Sequence, residues 1–177
     1  MHIRQLEHHD APPYNALRLW MLRAYPDAFT SSYEEDSLKP LAWAEARIAA
    51  GAGAPHDFVL GAFDRDGALI GSVGLSVESK AKQRHKALLF GMYVAPAAEG
   101  RGVGRALLVE CLGRARGIPG LEQVNLSVTA TNERARRLYA AAGFSIFGIE
   151  ERAIKVGPQY FAKAHMTLHL ASALTQS

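Results

Sequence analysis

The chain has 177 residues, of which 49% are hydrophobic, and this is enough for one sizeable core, so we expect a single domain over residues 1–177. The formal net charge of +3 is modest and the basic residues are dispersed, so we expect no nucleic-acid partner. One cysteine excludes an intramolecular disulfide, and without an apolar signal segment or a run of membrane-spanning length we expect a cytoplasmic protein with no membrane partner.

The first part of the chain predicts a strand followed by helices. A strand is expected at Ile3–Glu7 and a helix at Tyr14–Ala24. A second helix is expected at Leu41–Ala50, followed by a break at Gly51–Pro55. Between the helices, Ser31–Asp36 contains the Ser-x-x-Glu spacing of a capping box, so this segment is either the start of a helix or a loop.

A hairpin comes next along the chain. Strands are predicted at Phe58–Phe63 and Leu69–Val77. The Asp66-Gly67 dipeptide between them is a strong hairpin signal, because it favours the tight turns that join antiparallel strands. The basic segment Lys80–Lys86 then lies between two predicted strands, where a solvated loop is favoured over a ligand-binding patch.

The most informative segment joins a strand to a helix through glycines. Residues 88–94 are apolar enough for an inner strand, and Gly100, Gly102 and Gly104 follow. Apolar residues then recur at the helical period, at Leu107, Leu108, Cys111, Leu112 and Ala115. Because the first turn of a helix leaves its amides unpaired and its dipole favours negative charge, this turn can bind a diphosphate through the backbone alone.

Two established nucleotide-binding motifs do not fit this turn. A P-loop needs Lys followed by Ser or Thr after its last glycine, where this chain has Arg105 and Ala106. The dinucleotide fingerprint G-x-G-x-x-G lacks its third glycine in either register. Arg101 and Arg105 add positive charge beside the turn. A flexible turn that caps an ordinary helix remains the alternative, since turns use glycine for positive φ.

A second strand and helix follow. Val124–Thr129 alternates as a strand, and Glu133–Ala142 is a predicted helix. The apolar face of this helix carries Ala135, Leu138, Tyr139 and Ala142. Asn132 is placed to cap the helix, Gly143 ends it, and Phe144 begins a further strand.

These segments resemble the two sequence motifs of the GNAT superfamily of acyl-CoA-dependent N-acyltransferases. The first motif is Gln or Arg, two variable residues, Gly, one variable residue, then Gly or Ala, and residues 99–104 fit it except that Glu99 stands at its first position. The register at 101–106 satisfies all the letters, but the earlier register keeps the glycines ahead of the helix. Residues 132–144 match the second motif, N-x-x-A-x-x-L-Y-x-x-x-G-F, and the resemblance spans residues 88–147.

The resemblance implies an α/β (α+β) fold in which a mixed central β-sheet splays apart at its middle and is flanked by helices. Acetyl-CoA, the implied cosubstrate, would lie in the opening, with its pantetheine along Met92–Val94 and its pyrophosphate on the amides of Gly100–Gly104. A backbone N–H near residues 92–94 would stabilise the oxyanion formed from the thioester. The implied cofactor-binding residues are Met92, Tyr93, Val94, Gly100, Arg101, Gly102, Val103, Gly104, Arg105 and Asn132.

The resemblance also implies direct transfer of the acetyl group to a primary amine in a ternary complex. Tyr139 is the implied general acid for the departing thiolate, although core packing also explains its place on an apolar face. Relatives often place a Glu on or near the central strand as base, but Ala87–Ala95 contains no acidic residue. Glu78, Ser127 and Tyr160 are substitutes, and solvent can also take the proton.

Two segments frame the acceptor in this family, here Ala24–Asp36 and Glu150–His165. Their acidic residues can attract a cationic amine of a small molecule or peptide, although ordinary surface charge explains them as well. Members with a similar ending often carry Asp-Glu where this chain has Ala162-Lys163, a difference that bears on the acceptor or on the contacts of a homodimer.

Functions of other classes stay open. A non-catalytic acyl-CoA-binding module would keep the glycine turn without a competent base, and a nucleic-acid-binding protein would use Lys80–Lys86 with an affinity that falls steeply with salt. We expect no metal, since His165 and His169 have helical ligand spacing but lie in a predicted strand, Ala164–Leu170, where they do not converge. Cys111 is expected to be a buried structural thiol rather than a nucleophile.

Overall fold

A computed structural model describes residues 1–49 and 56–170. Its helices and strands, in chain order, are β1 His2–Gln5, α1 Ala11–Ala24, α2 Tyr33–Ser37, α3 Leu41–Ile48, β2 Phe58–Phe63, β3 Leu69–Val77, β4 Lys86–Val94, α4 Val103–Arg116, β5 Gln123–Thr129, α5 Glu133–Ala141, β6 Ser145–Val156 and β7 Gln159–His169. Within the described ranges, no helix is long and apolar enough to cross a membrane.

The strands form one mixed sheet in the order β1-β2-β3-β4-β5-β7-β6. Only β4 and β5 pair in parallel, because α4 carries the chain between them, while the other neighbours are antiparallel. Alternating side chains of β2 enter different cores: Leu60 joins the cluster that includes α4, and Val59 joins the cluster that includes α1 and α3. The sheet therefore has helices on both faces, as the sequence predicts.

Several element boundaries differ from the predicted ones. The helix predicted to begin at Tyr14 begins at Ala11, because its two prolines occupy the first turn, where a missing N–H is tolerated. Residues 33–37 form α2 rather than a loop, and the Ser32 hydroxyl caps it by accepting from the Glu35 N–H at 3.2 Å. The last strand begins at Gln159 rather than Ala164, since β6 and β7 form a long hairpin. The predicted break at Gly51–Pro55 lies outside the described residues.

The parallel strands β4 and β5 separate soon after they pair. Their register covers Lys86–Leu88 against Gln123–Asn125 and stops there. Beyond this point β4 also carries a bulge, in which Gly91 and Met92 oppose the single residue Val73 of β3. Gly91 has φ 59°, in the left-handed region that favours glycine. The splayed mixed sheet that the sequence predicts is therefore confirmed.

A buried ion pair ties α1 and α2 to β4. Arg18 is 4% exposed and its Nε donates to Asp36 Oδ2 at 2.8 Å, while its Nη1 donates to the Tyr93 hydroxyl. Burial by itself raises the pKa of Asp36, but hydrogen bonds from Lys39 and Arg18 outweigh it and hold that pKa below its usual range. The α1–α2 connection is thereby fixed against the part of β4 that lies beyond the paired residues.

Replacing Asp36 by alanine should leave the Arg18 charge buried without its carboxylate, and we expect the free energy of unfolding to fall by about 3–5 kcal/mol. Urea denaturation measures this change. Glu34, an exposed carboxylate on the same helix, provides the matched control, and Glu34→Ala should change stability by no more than about 0.5 kcal/mol. Equal stabilities for the two variants would contradict this role of the ion pair.

Candidate active site

The separation of β4 and β5 opens a cleft of about 700 Å³. It is lined by residues 89–92 and 94 of β4, by the glycine turn, by residues 126–128 of β5 and by one face of α5. Met21, Tyr25, Ala28 and Phe29, from α1 and the connection after it, complete the lining. The two strands thus contribute opposite sides of one opening in the sheet.

The glycine turn ends in a helix whose first amides have no partner. Gly100 and Gly102 have φ of 73° and 78°, and α4 begins directly after them. The first helical N–H that is bonded is that of Ala106, which donates to the Gly102 carbonyl at 3.0 Å. In the described part of the chain, the N–H groups of Val103, Gly104 and Arg105 have no acceptor. These groups and the helix dipole make the end of the cleft a site for an anion.

The charge around this turn is positive but partly compensated. Arg105, Arg134 and Arg137 line the cleft, whereas Arg101 lies in the turn but outside the lining. Glu99 accepts a hydrogen bond from Arg134, with 2.5 Å between Oε2 and Nη1. The Glu99 side chain is therefore engaged with an arginine of α5 at the edge of the cleft.

Of the three predicted β4 residues, Met92 and Val94 line the cleft and Tyr93 does not. The Tyr93 side chain is 1% exposed, packs on Phe29 with 5.1 Å between ring centroids, and accepts the hydrogen bond from Arg18. The Tyr93 side chain is thus not available to a molecule in the cleft. Because β5 has already diverged, the β5-facing backbone groups of this part of β4 have no strand partner among the described residues.

Tyr139 and Asn132 reach the cleft from α5 and its first turn. The Tyr139 ring packs edge-on against Phe144 with 5.9 Å between centroids, and the residue is only 6% exposed. Its hydroxyl makes no hydrogen bond to the described protein, and burial raises its pKa, so the phenol stays protonated at neutral pH and free to donate. Asn132 caps α5, as predicted, by accepting from the Ala135 N–H at 3.1 Å.

The structure also brings together three residues that sequence reasoning treated separately. Ser127 lines the cleft, and its Oγ lies 2.8 Å from Nδ1 of His165 on β7. The Nε2 of His165 lies 3.2 Å from Glu150 Oε2 on β6. The other substitute bases, Glu78 and Tyr160, do not line the cleft. The sequence signal for this cluster is the alternation of polar residues in β5 and β7. This alternation becomes informative only once the pairing of the two strands is known.

Two further expectations concern metal and thiol chemistry. In residues 1–49 and 56–170, no three His, Cys, Asp or Glu side chains are grouped to hold a metal ion. Cys111 is fully buried, and burial raises the pKa of its thiol to about 12. It is therefore protonated at neutral pH and unsuited to act as a nucleophile, in agreement with the prediction of a structural thiol.

Comparison with known proteins identifies the family that shares these features. The model for the acetyltransferase (GNAT) family matches residues 14–144. The N-alpha-acetyltransferase RimI of Mycobacterium tuberculosis is 35% identical over 115 residues, which cover 64% of this chain and 68% of that protein. Mycothiol acetyltransferase of Beutenbergia cavernae is 42% identical over 84 residues, 46% of this chain, and the matched segment spans only 26% of that protein.

The same fold occurs among solved structures. A GNAT superfamily phosphinothricin acetyltransferase (Pat) from Sinorhizobium meliloti, crystallised in complex with acetyl-CoA, superposes with a TM-score of 0.82. The alignment covers 96% of this chain and 88% of that one at 22% identity. At this identity the likeness concerns the fold, including the mixed sheet and its flanking helices.

Proposed function

The chain belongs to the acetyltransferase (GNAT) family, and its domain is that of an acetyl-CoA-dependent N-acyltransferase; we propose that it transfers acetyl from acetyl-CoA to a primary amine by direct attack in a ternary complex. The observation that carries this proposal is the cleft between β4 and β5. Within the described residues, it combines an edge of β4 without a β5 partner, helix amides without acceptors and the protonated phenol of Tyr139. These are complementary to the amide arm, the pyrophosphate and the thioester of acetyl-CoA, respectively.

The pyrophosphate is proposed to rest on the turn from Gly100 to Arg105. The N–H groups of Val103, Gly104 and Arg105 lack acceptors, so an anion there gains hydrogen bonds without displacing existing ones. Arg105 lines the cleft beside these amides and adds a positive charge. The Glu99 carboxylate supplies no hydrogen-bond donor to the anion. Its repulsion of the anion is reduced because it is paired with Arg134.

The pantetheine arm is proposed to add to β4 along Met92–Val94 like a short strand. The backbone groups on this edge need a partner once β5 has diverged, and the amides of pantetheine supply one. The bulge at Gly91 changes the direction of the backbone next to this edge, and an N–H near it would stabilise the oxyanion of the attacked thioester. Asn132 would hydrogen-bond the arm through the part of its amide not used in capping.

In the proposed reaction the amine nitrogen attacks the thioester carbon, a C–N bond forms, and the C–S bond breaks. The departing CoA thiolate takes a proton from the Tyr139 hydroxyl, which solvent later replaces. Burial raises the pKa of this phenol, which keeps the proton on Tyr139 until the thiolate departs.

The acceptor is proposed to be a primary amine of a small molecule or peptide. It would enter beside Tyr25, Ala28 and Phe29, which line the cleft on the side of the α1–α2 connection. The names of the two curated relatives refer to mycothiol and to N-alpha-acetylation, which are acceptors of different size. A screen should therefore include both small amines and peptides with a free amino terminus.

Gly102→Glu should abolish binding of acetyl-CoA while leaving the fold intact. A side chain at this position meets no atom within 4 Å, so it would not disturb packing, and the strain that a φ of +78° places on any side chain is shared by the control below. The Glu carboxylate would lie at the proposed pyrophosphate site. Calorimetric titration measures the affinity. Gly120→Glu is the matched control, because Gly120 has φ +74° and equally open surroundings, but lies outside the cleft lining. Wild-type affinity in Gly102→Glu would refute the pyrophosphate assignment.

Tyr139→Phe should lower kcat by about 10²–10⁴-fold, the usual contribution of a general acid, with little change in acetyl-CoA affinity. Stability should hold, since the Tyr139 hydroxyl makes no hydrogen bond within residues 1–49 and 56–170 that the substitution would remove. Release of the CoA thiol in the presence of an amine panel measures the rate, and Tyr160→Phe, on β7 outside the cleft, is the control. An unchanged kcat in Tyr139→Phe would remove Tyr139 from the mechanism. Tight binding without transfer to any amine would instead favour a non-catalytic acyl-CoA-binding module.

A further inference from the structure

Three side chains on neighbouring strands connect the cleft to solvent. Ser127 on β5 lines the cleft, His165 on β7 lies between the other two, and Glu150 on β6 is 57% exposed at its side chain. The distance from Ser127 Oγ to His165 Nδ1 is 2.8 Å, and that from His165 Nε2 to Glu150 Oε2 is 3.2 Å. Both are hydrogen-bond distances. The mechanism proposed above leaves these residues unused.

The cluster faces the side of the sheet from which the acceptor is proposed to enter. Ser127 pairs with His165 across the two strands, and the next pair on that face is Thr129 with Lys163. The Thr129 hydroxyl donates to the carbonyl of Asp27 at 2.7 Å, so the α1–α2 connection covers this same face. Ser127 therefore borders the cleft where an amine, rather than the phosphates of the cofactor, would lie.

The hydrogen-bond partners fix the proton positions on His165. An ionised carboxylate only accepts, so Glu150 requires the proton of the neutral imidazole to be on Nε2. Nδ1 then carries the lone pair and accepts from the Ser127 hydroxyl. The lone pairs of Ser127 Oγ are left to accept a proton from a group in the cleft, and the direction of transfer is thereby defined.

We propose that Ser127, His165 and Glu150 form the proton relay that deprotonates the acceptor amine, an inference that rests on the proposed acetyl transfer. As the C–N bond forms, the nitrogen loses a proton to Ser127 Oγ, and the original Ser127 proton passes to His165 Nδ1. The product is a His165 imidazolium beside the Glu150 carboxylate. The imidazolium then returns its extra proton to solvent. Ser127 is the catalytic residue of this relay, whereas His165 and Glu150 position and support it.

The charges near His165 suit a transient imidazolium. Glu150 is the carboxylate in contact with it, and the cation on the same face is Lys163, whose Nζ donates to Thr30 Oγ1. Burial lowers the pKa of Lys163, and the nearby Glu150 opposes that shift. Phe147 lies over the imidazole with 6.1 Å between ring centroids and shields part of it from water. The carboxylate of Glu150 is thus in contact with the ring, while the ammonium of Lys163 is directed to Thr30.

A first test of the relay needs no turnover. Nitrogen-15 NMR of the full chain, with the His165 signals assigned by comparison with His165→Gln, distinguishes the two tautomers of the neutral imidazole. The relay predicts the Nε2–H tautomer, in which Nδ1 is unprotonated. Dominance of the Nδ1–H tautomer would overturn it, because Nδ1 would then be unable to accept from Ser127.

The second test is kinetic and uses an amine that the wild-type enzyme acetylates. Ser127→Ala should lower kcat/KM for the amine by about 100-fold with unchanged acetyl-CoA affinity. His165→Gln should lower kcat/KM for the amine by a similar factor, because Ser127 then has no imidazole to take its proton. Glu150→Gln should have an intermediate rate, since its amide oxygen still accepts from Nε2–H but the negative charge is lost. His169→Gln, at an exposed position of the same strand, should behave as the wild type.

Failure of the relay and failure of the proposed function give different results. Wild-type kcat/KM in both Ser127→Ala and His165→Gln would overturn the relay and leave acetyl transfer intact. A wild-type chain that binds acetyl-CoA but acetylates no amine would contradict the proposed function, and the catalytic role of the relay with it.

Discussion

The separation of β4 from β5 is the constraint on which the remaining structure depends. Parallel strands joined by a helix ordinarily stay paired, but here the ladder ends at Leu88 and Asn125. Beyond that point, each backbone group with which one strand faced the other either meets solvent or needs another partner. The opening thus produces a cleft inside a sheet, with an edge of β4 on one side and residues 126–128 of β5 on the other.

Other features of the fold hold this opening in a defined shape. A 3-10 helix at Pro96–Ala98 connects β4 to the glycine turn, which places the first amides of α4 at the cleft, so the strand edge and the anion site belong to one continuous segment. The buried pair of Arg18 and Asp36, together with Tyr93, fixes the α1–α2 connection against β4. Contacts of that connection with Thr129 and Lys163 join it to β5 and β7. Both sides of the opening are therefore tied to the same segment.

Local motifs account for the parts of the site that the sequence predicts. The glycine turn, the Asn132 cap and the apolar face bearing Tyr139 each depend on residues within one or two turns of chain, where spacing determines geometry. The pairs Ser127 with His165 and Glu99 with Arg134 are separated by 38 and 35 residues. Their contacts depend on strand register and on how α5 packs, which composition and periodicity do not specify. For the same reason, the sequence suggested only one role for the His165 side chain, that of a metal ligand with His169, and its strand position argued against it.

Amide hydrogen exchange of the full chain, with and without acetyl-CoA, tests most directly whether the cofactor occupies the opening between β4 and β5. The account predicts slower exchange on addition of acetyl-CoA at residues 103–105 and at those N–H groups of residues 91–94 that face β5, because these groups have no backbone acceptor among the described residues of the free protein. Free ATP, which has phosphates but no pantetheine, should leave residues 91–94 unchanged. Saturable binding of acetyl-CoA without protection of either segment would contradict the account.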